Sequence, residues 1–229
     1  MRRIRLPGVA FASLLWLSAS CVAAGASLKG TVVMTGPVPP QKKLEVTNNQ
    51  YTCGTEKEPG DLILSARKEV SNAVVWIDNP PAGAGSFKDA KVEMDQKACV
   101  FIPRIVIVPA GETMFFLNSD RLLHNIHATP SLNVAINKAQ PRNRSIPATF
   151  VKPEIVRIGC DLHPWMTAWV VVAAHPWYAI TGPEGQFAFD NLPPGQYKLN
   201  AWHERLGKVE MNATVGEQPA QIRIEMKAR

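Results

Sequence analysis

Short runs of apolar and β-branched residues recur along most of the chain, and turn-forming residues separate them. In residues 185–203 the apolar positions alternate with polar ones, so that Phe187 and Phe189, and then Tyr197 and Leu199, fall on one face. No stretch sustains the 3.6-residue repeat of an amphipathic helix. The pattern therefore predicts an all-β fold, built as one sandwich or as two stacked sandwiches.

The predicted strands are rich in valine, isoleucine and phenylalanine, and glycine, proline and asparagine punctuate them. They cover residues 28–34, 72–78, 91–96, two strands within 104–118, a bent strand or strand pair in 149–159, 167–174, two strands within 185–203, and 221–227. Residues 41–70 are polar and less regular. Nineteen prolines and fifteen glycines favour short strands joined by turns.

The first 26 residues have the pattern of a secretory signal peptide. Arginines precede an apolar run at 9–17, which is shorter than the roughly 20 residues of a membrane span, and small residues then fit a cleavage site. We therefore expect a periplasmic or secreted protein with no transmembrane segment in the mature chain. A lipid anchor at Cys21 is disfavoured, because Ser18 stands where a lipoprotein signal has leucine.

Charge and composition limit the classes of molecule that the protein is expected to bind. Three arginines of the leader contribute to the net charge of +6, and lysine and arginine do not cluster with interleaved aromatic residues elsewhere. The sequence therefore gives little support to nucleic-acid binding.

Three cysteines follow the leader: Cys53, Cys99 and Cys160. An exported protein matures in an oxidising compartment, where cysteines pair. A bridge between Cys53 and Cys99 leaves Cys160 as an odd thiol, which a metal would explain. Spacing alone leaves the pairings that involve Cys160 open.

Cys160, His163 and Met166 follow one another at intervals of three residues, just before a predicted strand. A cysteine and a histidine at this spacing also fit a buried core cysteine beside a turn. A structural zinc site typically contains closely spaced pairs of cysteines, and the sequence has no such pair. A nucleophilic cysteine needs an oxyanion hole and an orienting group, and the sequence indicates neither. A thiolate, two imidazoles and a weak axial thioether define blue-copper sites, so the methionine favours copper.

The remaining ligand has to be a histidine from another segment. The strand predicted at 167–174 separates His175 from the loop by about 26 Å. His203 lies in the C-terminal segment. His124 and His127 would point to opposite faces of an extended segment, so only one of them is expected to bind.

The segments "FIPRIVIVPAGETMFFLNSDRLLHNIHA" and "GCDLHPWMTAWVVVA" resemble the cupredoxin family, and in particular its amicyanin/plastocyanin type. They carry that type's His-Asn-(aliphatic)-His and Cys-x2-His-Pro-(aromatic)-Met motifs in the same order. The resemblance covers about residues 100–174. It implies a Greek-key β-sandwich with one type 1 copper at its end, His124 as the fourth ligand, and Asn125 as the residue that ties the two ligand loops together. His127 is then a structural or surface residue.

Leu162 departs from the amicyanin pattern, in which a proline precedes the loop histidine. Leucine keeps a backbone N–H that could donate to the Cys160 sulfur. Hydrogen bonds to this sulfur tune the reduction potential of copper, so we expect Leu162 to contribute to that potential.

The segment "TGPEGQFAFDNLPPGQYKLNAWHE" resembles the carboxypeptidase-regulatory-like, or transthyretin-like, β-module. The opening strands of such a module are missing from this segment, and residues 28–34 and 72–78 are candidates for them. The whole arrangement resembles exported bacterial proteins of the methylamine-utilisation-like type. The expected division is a signal peptide at 1–26, an N-terminal β segment at 27–90, a cupredoxin domain at 91–175 and the β-module at 176–229. The N-terminal segment either pairs with the β-module or forms a tandem domain.

The ligand set favours an electron carrier with one type 1 copper, which would serve exported redox partners such as cytochromes or dehydrogenases. Trp165 would help to shield the copper, while the edge of one histidine stays near the surface. The alternatives are a copper-binding protein for storage, delivery or sensing, and a structural module with a vestigial site. An enzyme is disfavoured, because five histidines leave too few ligands for the additional centres of a copper oxidase or nitrite reductase.

Overall fold

The computed structural model describes residues 26–81, 86–87 and 91–228. Residues 1–25 of the predicted signal peptide, including Cys21, lie outside this part of the chain. Among the described residues no helix is long and apolar enough to cross a membrane. The prediction of an all-β fold is confirmed, since strands and turns make up nearly all of the described structure.

Eighteen strands and one short helix follow one another along the described residues. They are β1 (Ala26–Thr35), β2 (Leu44–Glu45), α1 (Gln50–Cys53), β3 (Glu56–Lys57), β4 (Val74–Ile77), β5 (Glu93–Lys97), β6 (Val100–Ile102), β7 (Ile105–Pro109), β8 (Thr113–Asn118), β9 (His124–Thr129), β10 (Ile136–Gln140), β11 (Ser145–Thr149), β12 (Ile155–Gly159), β13 (Thr167–Ala173), β14 (Tyr178–Ile180), β15 (Gln186–Leu192), β16 (Gly195–His203), β17 (Gly207–Val215) and β18 (Ala220–Lys227).

Strands β5 to β13 form a first sandwich of two sheets. One sheet has the order β10-β9-β12-β13-β7, and the other has the order β11-β8-β5-β6. Alternation along β8 shows how the core forms, because Met114, Phe116 and Asn118 are buried while the residues between them are more exposed. Phe150 and Ile158 lie fully buried in the same core, which fixes the end of β12 from which the predicted ligand loop starts.

A second sandwich combines strands from both ends of the chain. Its sheets have the orders β15-β1-β18 and β14-β4-β16-β17. β1 pairs antiparallel with β15 and parallel with β18, and β4 pairs with both β14 and β16. The N-terminal strands therefore share a core with the C-terminal segment, as a discontinuous module requires. The division of the chain into domains at residues 90 and 175 stays a proposal.

An apolar layer joins the two sandwiches. Val74, Ile105 and Val171 are buried there, and Trp169 of the first sandwich packs edge-on against Trp202 of the second, with ring centroids 5.0 Å apart. Arg104 donates two hydrogen bonds of 2.5 and 2.8 Å to the Glu204 carboxylate at the edge of this layer. The four sheets thus form a continuous stack around three apolar layers.

Residues 44–57, which we call the cap, lie over one end of the first sandwich. β2 pairs antiparallel with β3, and α1 lies between them. Val46 is fully buried in the core of the first sandwich. A disulfide with an S–S distance of 2.05 Å joins Cys53 of the cap to Cys99, in the turn between β5 and β6. The cap is therefore fixed to the sandwich by both packing and a covalent bond.

Candidate metal centre

His124, Cys160 and His163 meet at the end of the first sandwich that the cap covers. His124 opens β9, and Cys160 follows the last residue of β12. A turn in which the His163 N–H donates to the Cys160 carbonyl brings the histidine back beside the cysteine. All three side chains are buried, and their potential ligand atoms lie within 4.8 Å of one another.

The three atoms that face one another are the Nδ1 atoms of the two histidines and the sulfur of the cysteine. The Nδ1 atoms of His124 and His163 are 2.8 Å apart. The Cys160 Sγ lies 3.6 Å from the His163 Nδ1 and 3.9 Å from the His124 Nδ1. This is a compact donor set of the kind that a soft to borderline metal ion prefers.

The hydrogen-bond partner of the outer nitrogen, Nε2, determines which nitrogen of each ring carries the proton. His124 Nε2 is 3.0 Å from Asp120 Oδ2, and His163 Nε2 is 3.0 Å from Asn49 Oδ1. Both partners are acceptors, so each Nε2 donates and each Nδ1 presents a lone pair. Two lone pairs at this distance repel each other unless a cation lies between them, and the residues present therefore fit a bound metal ion.

Burial keeps the two rings in the neutral form that binds metals. It lowers the pKa of His163 to about 4, and the neighbouring His124 acts in the same direction while Asp120 opposes it. Burial also lowers the pKa of His124, against the opposing effect of Asp120. At neutral pH both rings are therefore uncharged and ready to donate Nδ1.

The thiol of Cys160 responds to burial in the opposite sense. Burial raises the pKa of this thiol, while the backbone N–H groups of Asn125, Leu162 and His163 lower it. The Asn125 N–H lies 3.5 Å from the sulfur. A bound cation would favour the thiolate, since coordination displaces the thiol proton.

Asn125 links the two loops that carry the donors. Its side-chain oxygen accepts the Asp161 N–H at 2.6 Å, and its side-chain nitrogen donates to the Asp161 carboxylate at 2.9 Å and to Asn137 at 2.8 Å. Together with its backbone contact to the Cys160 sulfur, these bonds hold the start of β9 against the loop after β12.

Met166 lies at the end of the same loop. Its N–H donates to the His163 carbonyl at 2.9 Å, and its side chain is 1% exposed within the core that also contains Cys160. Met166, Cys160 and Pro164 line a surface cavity of about 310 Å³. Met166 and Cys160 therefore belong to one core and line one cavity.

His127 lies outside the donor set. Its ring is partly exposed, and its Nδ1 is 2.6 Å from a carboxylate oxygen of Asp161. This contact is the main cause of a lowered pKa of the Asp161 carboxyl. His127 therefore contacts, at the surface, the loop that carries Cys160 and His163.

The expectation that one histidine edge stays near the surface concerns His163, whose Nε2 lies 3.0 Å from the exposed Asn49 while the ring itself is covered. His124 is fully buried and His163 is 1% exposed. Trp165 packs against His163 with ring centroids 5.1 Å apart, as its proposed shielding role requires, and its Nε1 donates to the Cys99 carbonyl at 3.0 Å. The reason for the burial is the cap, which lies against the outer edge of His163.

Two residues of the site had no place in the sequence-based prediction. Asp120 stands four residues before His124, a spacing at which an acceptor for the ring could have been sought. Asn49 lies 114 residues from His163, in a polar segment with no regular pattern. No sequence signal points to Asn49.

No family model matches the chain, and no curated protein does. Several solved structures are similar to parts of it. A copper-containing nitrite reductase from Thermus scotoductus is 21% identical over 42% of this chain, with a TM-score of 0.35. The match spans only 25% of that enzyme's chain.

Two further similar structures are cupredoxins. A purple cupredoxin from Nitrosopumilus maritimus is 20% identical over 36% of this chain and 100% of its own, with a TM-score of 0.32. An amicyanin variant in the Cu(I) state is 20% identical over 43% of this chain and 98% of its own, with a TM-score of 0.34. Each match therefore leaves more than half of the present chain uncovered.

Proposed function

We propose that the chain is a periplasmic mononuclear type 1 copper protein that carries electrons between exported redox partners. The observation that supports this most directly is the convergence of two histidine Nδ1 atoms and one sulfur in a buried site. His124, Cys160 and His163 would hold the copper, with Met166 as a weak axial ligand. Copper in such a ligand set supplies one-electron redox chemistry.

The surrounding residues favour a site that changes little between oxidation states. Asp120 and Asn49 fix the two rings through their outer nitrogens, and Asn125 holds the loops together. A donor set that is already in place needs little rearrangement when the charge of the metal changes. Burial of both rings also keeps water away from the donors.

Export fits the chemistry of the remaining cysteines. The Cys53–Cys99 disulfide requires an oxidising compartment, and it leaves Cys160 as the single free thiol of the described residues. Partners such as cytochromes or dehydrogenases of the same compartment are part of this proposal. The β-module built from β14 to β18 with β1 and β4 would serve as a scaffold for the copper sandwich.

Addition of Cu(II) to the purified mature protein tests the proposal. We expect an intense thiolate-to-copper charge-transfer band, narrow copper hyperfine splitting in EPR spectra, and reversible reduction in voltammetry. Cys160→Ser should abolish the band, whereas His127→Ala should retain it, because His127 lies outside the donor set. Copper binding without the band would favour storage, delivery or sensing, and no binding would contradict both functions.

A further inference from the structure

The cap reaches the candidate site through two adjacent asparagines. Asn49 Oδ1 lies 3.0 Å from His163 Nε2, and the side chain of Asn48 donates to the Leu162 carbonyl at 2.7 Å. Asn49 itself is on the exposed surface of the cap, while the His163 ring beneath it is 1% exposed. The cap therefore separates the outer edge of this ring from solvent.

The backbone of Asn49 leaves its side chain free for this contact. Asn49 is the N-cap residue of α1, and its carbonyl accepts the N–H groups of Thr52 and Cys53 at 2.9 Å each. Asparagine at an N-cap usually turns its side chain to the helix N–H groups, but here the side chain makes no such bond. The residue has φ 50°, in the left-handed region that favours asparagine, aspartate and glycine. The conformation thus directs the side chain to His163.

The disulfide connects the supports of both histidines. Cys53 is the last residue of α1, and it forms the disulfide with Cys99. The Cys99 N–H in turn donates to Asp120 Oδ2 at 2.8 Å. The same carboxylate oxygen accepts the proton of His124 Nε2. The outer nitrogens of both rings are therefore held by residues that one covalent bond ties together.

We infer that Asn49 is a positioning residue for His163 and that the cap is a disulfide-tethered cover that retains the metal. This inference rests on the proposed copper function. The bond to Asn49 keeps the His163 Nε2 proton in place and its Nδ1 directed at the other donors. For the metal to leave through this side, the ring has to break its bond to Asn49 and displace the cap.

Four variants separate positioning from a general loosening of the cap. Asn49→Gly removes the side chain and tolerates the left-handed backbone, and Asn49→Ala supplies a second deletion should the glycine variant fold poorly. Asn49→Asp keeps an oxygen acceptor and is the conservative rescue. Gln50→Ala is the matched control. It removes the 2.7 Å hydrogen bond that the Gln50 side chain donates to the Val46 carbonyl within the cap, and Gln50 makes no hydrogen bond to the site.

The first measurement uses the metal-free exported chain and does not depend on copper. In ¹⁵N NMR spectra of the wild type, the Nε2 proton of His163 should be observed and protected from exchange with water. Asn49→Gly should expose it, while Gln50→Ala should leave it protected. A wild-type ring that is protonated on Nδ1, or whose Nε2 proton exchanges freely, would overturn the inference.

The second measurement is the loss of copper from the loaded protein to an excess of chelator. Removal of an outer-shell partner typically weakens metal binding about 10- to 100-fold, so Asn49→Gly should release copper at least about tenfold faster. Asn49→Asp should release copper no faster than the wild type, because its carboxylate keeps the contact with the ring, and Gln50→Ala should stay within about twofold of the wild type. Equal acceleration in Asn49→Gly and Gln50→Ala, or none in Asn49→Gly, would contradict a positioning role.

The two measurements distinguish a failure of the proposed copper function from a failure of the positioning role of Asn49. A wild-type protein that takes up no copper would overturn both the proposed function and the role of the cap in metal retention. The NMR measurement would then still decide whether Asn49 holds the His163 ring.

Discussion

At the residue scale, Asp120 supports His124 from within the first sandwich. Its two oxygens accept the N–H groups of Ala98 and Cys99 at 2.7 and 2.8 Å, in addition to the His124 ring. A carboxylate behind a ligating histidine fixes the orientation of the ring and raises its basicity. Asp120 is 8% exposed, so this effect is weakly screened by water.

We expect Asp120→Asn to weaken Cu(II) binding by about tenfold or more, because the amide lacks the charge and the second acceptor oxygen. Competition with a chelator of known affinity measures this. Asp95→Asn is the matched control, since Asp95 accepts the Ser119 N–H in the same region and contacts neither His124 nor His163 through a hydrogen bond. An unchanged affinity, or an equal loss in the control, would contradict the role of Asp120.

Leu162 offers a second test at this scale. Its backbone N–H lowers the pKa of the Cys160 thiol, as a donor to the sulfur does. Leu162→Pro removes this donor, so the thiolate gives more charge to the metal and the reduction potential should fall. Protein-film voltammetry measures the change. Leu162→Ala keeps the N–H and should keep the potential, whereas an unchanged or higher potential in the proline variant would refute the prediction.

The candidate donor residues could be proposed from the sequence because their chemistry is specific. Cys160, His163 and Met166 lie in one loop, and the turn that joins them is short. Asn49 was not accessible, since its contact with His163 depends on the path of an irregular segment and on the disulfide that anchors it. Tertiary contacts of this kind leave no local pattern.

At the scale of the elements, the predicted strands with a strong apolar alternation are present. β7 and β8, and likewise β15 and β16, lie on either side of the predicted turns. β17 was missed, although its polar residues Lys208, Glu210 and Asn212 alternate with partly buried and buried side chains. Such a strand depends on its partner β16, with which it pairs along its whole length.

β1 gives an element-scale prediction, because its integration into the second sandwich requires a glycine. A Cβ on Gly30 would lie 2.4 Å from the ring of Phe187 on the neighbouring strand. Gly30→Ala should therefore lower the free energy of unfolding by about 1–3 kcal/mol, as overpacking does. Urea unfolding measures the loss.

Gly182→Ala is the control for this substitution, since a Cβ at Gly182 meets no atom within 4 Å. Its free energy of unfolding should stay within about 0.5 kcal/mol of the wild type. If Gly30→Ala is as stable as the control, the packing of Phe187 over β1 is not the reason for the glycine.

At the scale of the whole molecule, His203 gives the stability a dependence on pH that is independent of copper. The ring is 1% exposed in the second sandwich, and its Nδ1 accepts the Arg205 N–H at 3.2 Å. Burial lowers the pKa of His203 to about 4, against the opposing charges of Glu204 and Asp61. The ring therefore stays neutral in the folded protein where an unfolded chain would already be protonated.

As the pH falls from about 6.5 to about 4, the unfolded chain takes up a proton that the folded chain does not, so folding becomes less favourable. Each pKa unit corresponds to about 1.4 kcal/mol, which gives a loss of up to about 3 kcal/mol from His203. Urea unfolding of the metal-free protein at several pH values measures this. His163 adds a loss of the same sign.

His203→Gln isolates the contribution of this ring. The variant should lose less stability on acidification than the wild type, whatever its stability at neutral pH. Equal slopes of unfolding free energy against pH in the two proteins would show that His203 does not titrate as its burial implies.

The pairing of β1 with β18 sets an order of events during folding. All strands of the first sandwich lie between Glu93 and Ala173, so that sandwich can complete itself while the C-terminal strands are still being supplied. β1 cannot complete its pairing until β18 is available, because Leu28 pairs with Ala220. Contacts this distant in sequence form slowly. The residues of the candidate metal centre can therefore come together before β1 and β18 have paired.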